Sequence, residues 1–262
     1  MNVVFFFVVN GEGVSVYVID TGVNPTHIDL AGRCDPFYDA YPVGLTEYGV
    51  DCNGHGSHCA GTVAGTTYGV AKKAHIYGVR VLSCIGFGST EGVVSGCEKV
   101  ASDAILPAVA SLSLGGGASE AMDAGIVAMV RNGVTSVVAA GNSNEDACLS
   151  SPAREETAIT VSASDINDQR AFFSNYGSCS DIYAPGVLIT SIWFNTDNST
   201  NTISGTSMAC PHVAGAAALI LEENPDFSPS VVKAALVNTA VSDKIEDAGP
   251  DTPNKLLQVK RV

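Results

Sequence analysis

The sequence alternates from end to end between short apolar runs and longer helix-compatible segments. The apolar runs are rich in β-branched residues, as strands are, and they fall at 14–19, 75–81, 109–114 and 134–140. Segments with helical periodicity fall at 90–101, 120–132, 206–223 and 229–239. Near-continuous apolar strands separated by helices predict a parallel sheet that is covered on both faces. We therefore expect an α/β fold of three layers, with a mostly parallel central sheet flanked by helices.

No internal repeat, low-complexity block or linker interrupts this alternation, so residues 1–262 are expected to form a single domain. No apolar run approaches the roughly 18 residues that a transmembrane helix needs. The apolar stretch 3–9 has no Lys or Arg before it and no small-residue cleavage site after it, so it is not a clear signal peptide. We interpret it as a buried strand or a distorted chain start.

The charge and the cysteine content narrow the class of protein. Asp and Glu outnumber Lys and Arg by 27 to 13, which leaves a net charge of −14. This balance argues against nucleic-acid binding and against docking on an anionic membrane, while it is compatible with bound cations. Eight cysteines suggest an oxidising compartment, and hence an extracellular protein.

Three polar residues stand where α/β folds place their chemistry, at strand ends and helix starts. Asp20 follows the first predicted strand directly. His55 lies between two glycines ahead of a helix-compatible stretch at 58–65, and Ser207 lies at the start of the long helix. A serine hydroxyl needs a neighbouring base, and that base needs a group that fixes its tautomer. The three residues therefore form a candidate nucleophilic triad.

The segments around these residues resemble the three signature blocks of the subtilases, the subtilisin-like serine proteases. The blocks are VYVIDTGVNPTH around Asp20, DCNGHGSHCAGTVAG around His55 and SGTSMACPHVAG around Ser207. They occur in the Asp, His, Ser order of that family, which differs from the order in α/β-hydrolases and in chymotrypsin-type enzymes. The segments VASLSLGGG, FSNYGS and YGVAKKA resemble the proteinase K-like branch, and the similarity extends over about 11–257.

The resemblance implies a serine endopeptidase that works on polypeptides without a catalytic cofactor and as a monomer. Ser207 would be the nucleophile, His55 the general base and Asp20 the residue that orients the base. Asn142 would donate to the oxyanion together with the backbone N–H of Ser207.

The same resemblance implies the walls of a substrate cleft. One wall would be formed by Ser111, Leu112, Ser113, Leu114 and Gly115, and the opposite wall by Gly86, Phe87 and Gly88. The specificity pocket would be lined by Ala139, Ala140 and Gly141, with no charge at its base. Such a pocket predicts a broad preference for apolar or aromatic residues before the cut.

Relatives of the bacterial aqualysin type imply two disulfides, Cys52–Cys84 and Cys148–Cys179. Cys59 and Cys210 are expected beneath the active site, and Cys34 and Cys97 have no assigned partner. Resemblance to proteinase K implies a structural calcium ion at the carboxylate of Asp181 and the backbone carbonyls near residues 156 and 158. A zinc site at Cys52, His55, His58 and Cys59 is the less favoured alternative, because no second ligand pair stands at a suitable spacing.

The sequence differs from those of its relatives in two respects, and two alternative functions remain open. Relatives have a longer segment before Asp20 and an inhibitory propeptide that assists folding, so we expect either a truncated chain or one that folds poorly unaided. The main alternative is a catalytically silent, secreted binding protein of subtilase shape. An esterase of the α/β-hydrolase type is disfavoured by the order of the motifs.

Overall fold

A computed structural model describes residues 9–41 and 47–259. Within these ranges the helices are α1 (His55–Ala64), α2 (Thr90–Asp103), α3 (Glu120–Arg131), α4 (Thr206–Glu223) and α5 (Pro229–Thr239). The strands are β1 (Ser15–Asp20), β2 (Cys34–Asp39), β3 (His75–Arg80), β4 (Ala108–Leu112), β5 (Gly116–Gly117), β6 (Val134–Ala139), β7 (Ser150–Ser151), β8 (Ile159–Ser164), β9 (Ile182–Pro185), β10 (Ile189–Ile192), β11 (Thr200–Ile203), β12 (Val241–Ser242) and β13 (Lys255–Leu256). A short 3-10 helix spans Ala147–Leu149.

Nine of these strands form one sheet in the order β12-β13-β9-β8-β6-β4-β1-β3-β2. Every pairing in it is parallel except that of β12 with β13. Two small antiparallel pairs, β5 with β7 and β10 with β11, lie outside it. Parallel neighbours align their carboxyl ends, so residues that follow β1, β4 and β6 meet at one edge of the sheet.

The strand β1 shows why the strand segments of this chain do not alternate strictly between apolar and polar residues. Val16 and Val18 belong to the core cluster that α1, α4 and α5 cover, whereas Tyr17 and Ile19 belong to the cluster under α2 and α3. All four side chains are completely buried. Because both faces of β1 are covered, a nearly continuous apolar run is what this strand requires.

The predicted fold class is confirmed, and most predicted elements agree with the structure to within two residues at each end. The first helix differs, because α1 begins at His55 rather than at residue 58. The predicted strand at 3–9 lies almost entirely outside the described residues. None of the helices in the described part of the chain is both long enough and apolar enough to cross a membrane.

Candidate active site

The Asp20 carboxylate and the His55 imidazole form a hydrogen-bonded pair. Asp20 ends β1, and His55 begins α1. Nδ1 of His55 lies 2.8 Å from Oδ1 and 2.9 Å from Oδ2 of Asp20. The aspartate is completely buried, whereas the histidine side chain is 26% exposed. A carboxylate at Nδ1 favours the proton on that nitrogen, which leaves Nε2 with a basic lone pair.

Opposing effects set the pKa of His55. Burial is the largest effect and lowers the pKa, because a buried imidazolium loses hydration. The charge and the hydrogen bond of Asp20 oppose burial, and the charge of Asp51 adds to them. Together they raise the pKa of His55 above its ordinary value. The site therefore stabilises the protonated imidazole, which suits a group that takes up a proton during a reaction.

Asp51 anchors the start of α1, and the sequence analysis did not identify it. Its Oδ2 accepts hydrogen bonds from the backbone N–H of Ser57 at 2.9 Å and from the Ser57 hydroxyl at 2.7 Å. Its Oδ1 accepts at 2.9 Å from the N–H groups of Asn53 and Gly54 and from the Thr21 hydroxyl. An acidic residue just before a helix is the signal in the sequence, because a negative charge there stabilises the helix N-terminus.

The glycines on either side of His55 serve close packing inside the fold. A Cβ on Gly56 would lie 2.1 Å from the backbone oxygen of Gly22, so only glycine lets α1 approach the loop after β1. Gly54 has φ 113°, and a Cβ there would lie 2.3 Å from the Trp193 ring.

His58 and His212 are neutral structural residues. Nε2 of His58 donates to the backbone oxygen of Ile189 at 3.0 Å, and burial lowers the pKa of His58 to about 4. Nδ1 of His212 donates to the backbone oxygen of Met208 at 2.8 Å, and burial lowers its pKa as well.

Ser207 is the second residue of α4, and its carbonyl is held from outside the helix. Pro211 has no N–H to donate to the carbonyl four residues earlier, which leaves the oxygen of Ser207 without its usual helical partner. The Ser113 hydroxyl donates to that oxygen at 2.8 Å, and Sγ of Cys59 lies 3.4 Å from it. Because Cys59 follows His55 by one helical turn, these contacts place Ser207 beside α1.

Among the hydrogen bonds of the described residues, the Ser207 hydroxyl donates to the backbone oxygen of Ser113 at 3.2 Å rather than to His55. His55 and Ser113 line one cavity, and Ser113 and Ser207 line the cavity that adjoins it. Both reactive side chains therefore border the same cleft. Proton transfer from Ser207 to His55 would require the hydroxyl to give up its hydrogen bond to Ser113.

The amide of Asn142 is oriented by α4. Its Oδ1 accepts from the backbone N–H of Thr206 at 2.8 Å and from the Thr206 hydroxyl at 3.0 Å. A Cβ placed on Gly205 would lie 3.7 Å from Nδ2 of Asn142 and 3.6 Å from the backbone nitrogen of Ser207. Nδ2 of Asn142 and the backbone nitrogen of Ser207 therefore lie near one point beside Gly205, and a pair of N–H groups is the donor set that an oxyanion needs.

Asn175 supports the loop that carries Asn142, and the sequence analysis used it only as part of the FSNYGS segment. Its Oδ1 accepts from the N–H groups of Ser143 at 2.9 Å and Glu145 at 3.2 Å. Its Nδ2 donates to the backbone oxygen of Ala140 at 2.9 Å. A single asparagine in an otherwise ordinary loop carries no signal that would have singled it out.

Two adjoining cavities form the cleft, and they share Ser113, Leu114, Gly115 and Gly116. The cavity with His55 is also lined by Gly86, Phe87 and Gly88. The cavity with Ser207 is also lined by Ala139, Ala140 and Gly141. Most of the predicted cleft residues therefore lie together.

Ser111 and Leu112 do not line the cleft, although they were predicted to form part of its wall. Both lie inside β4 and are buried, with 1% and 0% exposure. The Ser111 hydroxyl is 3.7 Å from Sγ of Cys210, and Leu112 belongs to the core cluster under α2 and α3. The wall of the cleft begins only at Ser113, because β4 is still covered on both faces before that residue.

The cavity with Ser207 also contains a carboxylate, since Glu145 is among its lining residues and is exposed. From the sequence, no charge is expected at the base of this pocket. Glu145 therefore adds a negative charge to a cavity whose other lining residues are uncharged.

Both disulfides are present in the structure. Cys52–Cys84 joins the segment before α1 to the loop after β3, across 32 residues of sequence. Cys148–Cys179 joins the 3-10 helix to the segment before β9, across 31 residues. The free cysteines of the described ranges, Cys34, Cys59, Cys97 and Cys210, are all buried.

The alternative zinc site does not form. Cys52 is in a disulfide, and His58 donates to Ile189. Burial raises the pKa of the Cys59 thiol well above its usual range and that of the Cys210 thiol to about 12, so both remain protonated.

The oxygens predicted to bind calcium contact a lysine instead. Nζ of Lys233 lies 2.8 Å from Oδ2 of Asp181, 3.0 Å from the backbone oxygen of Glu156 and 2.6 Å from that of Ala158. The ammonium group takes the central position because its positive charge is attracted by all three oxygens. The donor set is of a type that suits calcium, but calcium does not fit it while Lys233 is in place.

A family profile and curated relatives match almost the whole chain. The Subtilase family profile matches residues 11–257. An extracellular serine proteinase of Thermus sp. (strain Rt41A) is 50% identical over 253 residues, which cover 97% of this chain and 61% of the relative. Alkaline serine exoprotease A of Vibrio alginolyticus is 52% identical over 248 residues, which cover 95% of this chain and 46% of the relative. The chain thus spans about half to three-fifths of the length of these relatives.

A solved structure, described as that of a cold adapted subtilisin-like serine proteinase, matches with a TM-score of 0.91 and 50% sequence identity. The match covers 95% of this chain and 89% of the other. The arrangement of the sheet and helices is therefore the subtilisin-like one.

Proposed function

The chain belongs to the subtilase family, and on that basis we propose that it is a serine endopeptidase that uses Ser207, His55 and Asp20. The observation that carries the proposal is the contact of buried Asp20 with Nδ1 of His55, at the edge of a cleft that Ser207 also lines. The single peptidase domain over residues 1–262 stays a prediction, and the family profile matches residues 11–257 of it.

In the proposed reaction, Oγ of Ser207 bonds to the carbonyl carbon of the scissile peptide while Nε2 of His55 takes the hydroxyl proton. The carbonyl electron pair moves to oxygen, and Nδ2 of Asn142 with the backbone N–H of Ser207 stabilises the resulting charge. Collapse of this intermediate breaks the C–N bond, and His55 returns its proton to the leaving amine. Water then attacks the acyl group on Ser207 by the same steps, which releases the carboxylic acid and restores the serine.

The cleft supports an extended polypeptide as the substrate. The exposed residues Gly115 to Gly117 can pair with a peptide backbone, and the small residues Ala139, Ala140 and Gly141 leave room for a side chain. We expect cuts after apolar or aromatic residues. Glu145 should disfavour acidic residues at that position, because two carboxylates would share one cavity.

An extracellular location is part of the proposal. Two disulfides persist best in an oxidising environment, and one relative is named an extracellular proteinase. The monomeric state stays a prediction.

Labelling with a fluorophosphonate probe tests the nucleophile. The wild type should be labelled, Ser207→Ala should not, and Ser102→Ala, which changes an exposed serine of α2, should be labelled like the wild type. Digestion of a denatured protein, with the cut sites sequenced, then tests the specificity. Absence of labelling in the wild type would favour the silent binding protein, and rapid turnover of short esters without peptide cleavage would favour an esterase.

A further inference from the structure

The side-chain amine of Lys233 is surrounded by oxygen atoms of residues that do not line the catalytic cleft. Lys233 belongs to α5, and its Nζ contacts Oδ2 of Asp181 and the backbone oxygens of Glu156 and Ala158, all within 3.0 Å. The side chains of the lysine and the aspartate are only 24% and 22% exposed. An ammonium group has three N–H donors, and it meets three acceptors here.

These acceptors come from the segments that lead into two neighbouring strands. Residues 156 and 158 lie within the three residues before β8, and Asp181 immediately precedes β9. Because β8 and β9 are parallel, their starts lie side by side at the edge of the sheet opposite the catalytic cleft. The cation therefore joins two strands and a helix at one point.

The oxygen cluster needs a positive charge. The carboxylate of Asp181 is only 22% exposed, and the backbone oxygens of Glu156 and Ala158 converge with it on one point, so negative charge accumulates there. Oδ2 of Asp181 also accepts from the backbone N–H of Thr160 at 2.9 Å, so the carboxylate is oriented toward the cluster. A carboxylate with two converging carbonyls is the donor set that a calcium ion would use.

We infer that the Lys233 ammonium is the built-in cation of this site, so that the chain is stabilised there without calcium. A calcium ion among the same oxygens would lie next to the ammonium, and the two positive charges would repel each other while sharing one carboxylate. The lysine is covalently attached, so neither dilution nor a chelator removes it. Removal of the lysine side-chain charge should therefore create a calcium requirement.

The test uses the Ser207→Ala background, which avoids self-digestion, and compares Lys233→Met, Asp181→Asn, and the two changes together. Isothermal titration calorimetry of calcium into chelator-treated protein counts the bound ions, and scanning calorimetry measures Tm with and without calcium. Lys99→Met is the matched control, because Lys99 forms an exposed ion pair with Asp103 and, within the described part of the chain, its Nζ has no hydrogen bond to a backbone carbonyl.

We expect Lys233→Met to bind one calcium ion more than its parent. In chelator its Tm should fall by roughly 4 to 8 °C, and calcium should restore the loss. The variant that also carries Asp181→Asn should gain no ion and should not be restored. Asp181→Asn alone should lower Tm without changing the number of ions bound, and Lys99→Met should change neither quantity.

Two results would overturn the inference. One is loss of a bound calcium ion when Asp181→Asn is made in the parent, since that ion must then have used Asp181. The other is a Lys233→Met variant that gains no calcium and is not restored by it. If Lys233→Met folds neither with nor without calcium, the number of calcium ions bound by Asp181→Asn and by its parent still tests the inference. That comparison does not depend on the lysine variant.

Discussion

At the scale of the residue, two histidines of α1 show how neighbours determine chemistry. His55 and His58 are three positions apart, yet the pKa of His55 is raised and that of His58 is lowered to about 4. Burial lowers both values, but only His55 has a carboxylate against its ring. The partner of the imidazole, rather than its place on the helix, therefore decides which histidine can serve as the base.

Replacement of the partner tests this point. In Asp20→Asn the charge and the charge-assisted hydrogen bond that raise the pKa of His55 are lost, while burial remains. The pKa should fall, and the acid limb of the kcat/KM profile should move to lower pH, because the neutral base then persists in more acidic solution. The maximal kcat should fall about 3 × 10⁴-fold, the loss known for removal of the corresponding aspartate of subtilisin. Rates with a peptide substrate between acid and neutral pH check both expectations.

Asp35→Asn is the matched control, since Asp35 pairs with His75 at 2.8 Å but is 63% exposed at the sheet edge. This variant should keep the wild-type rate and profile. An unmoved acid limb in Asp20→Asn would contradict the assignment of that limb to His55.

At the scale of the element, the position of α1 depends on its first turn. Asp51 accepts five hydrogen bonds there, whereas the N-cap Ser119 of α3 accepts one from Met122. The many bonds to Asp51 connect the helix start to the loop after β1, so that His55 and Asp20 are held together.

Asp51→Asn should therefore affect both stability and the pH profile. The asparagine side chain has only one oxygen that can accept hydrogen bonds, whereas both oxygens of Asp51 accept them. The free energy of unfolding should therefore fall by about 2 to 4 kcal/mol. The pKa of His55 should also decrease, because one of the charges that raise it is lost. Urea unfolding in the Ser207→Ala background and the kcat/KM profile in the active enzyme measure the two effects. Ser119→Ala should cost about 1 kcal/mol and leave the profile unchanged; equal effects of the two changes would contradict the special role of Asp51.

At the scale of the whole molecule, two disulfides close loops of nearly equal length in different parts of the sheet. Cys52–Cys84 spans 32 residues near the catalytic cleft, and Cys148–Cys179 spans 31 residues beside β8 and β9. If each acts mainly by restricting the unfolded chain, loop length should determine the gain, and the two should contribute equally.

Replacement of both cysteines of either bridge by serine should lower the free energy of unfolding by about 3 to 4 kcal/mol. Urea unfolding of the two double variants in the Ser207→Ala background measures the losses side by side. Losses that differ by several kcal/mol would show that contacts in the folded state, rather than loop closure, dominate.

The fold class could be inferred from the sequence, because strand and helix periodicities are local patterns and buried parallel strands must be apolar on both faces. The candidate residues Asp20, His55 and Ser207 could also be identified from the sequence, since each lies in a distinctive segment. The sequence could not show that Ser111 and Leu112 are buried, or that Asp51 and Asn175 hold the two halves of the site.

The site of Lys233 shows most clearly what could be inferred from the sequence and what depended on the tertiary structure. The sequence analysis identified Asp181 and the carbonyls near residues 156 and 158, but it assigned them to calcium. Lys233 lies about fifty positions after Asp181 on another element, and nothing in its local sequence connects the two. Only the packing of α5 against the sheet brings the ammonium to the oxygens, because the partner of a charged side chain depends on which distant segments meet in space.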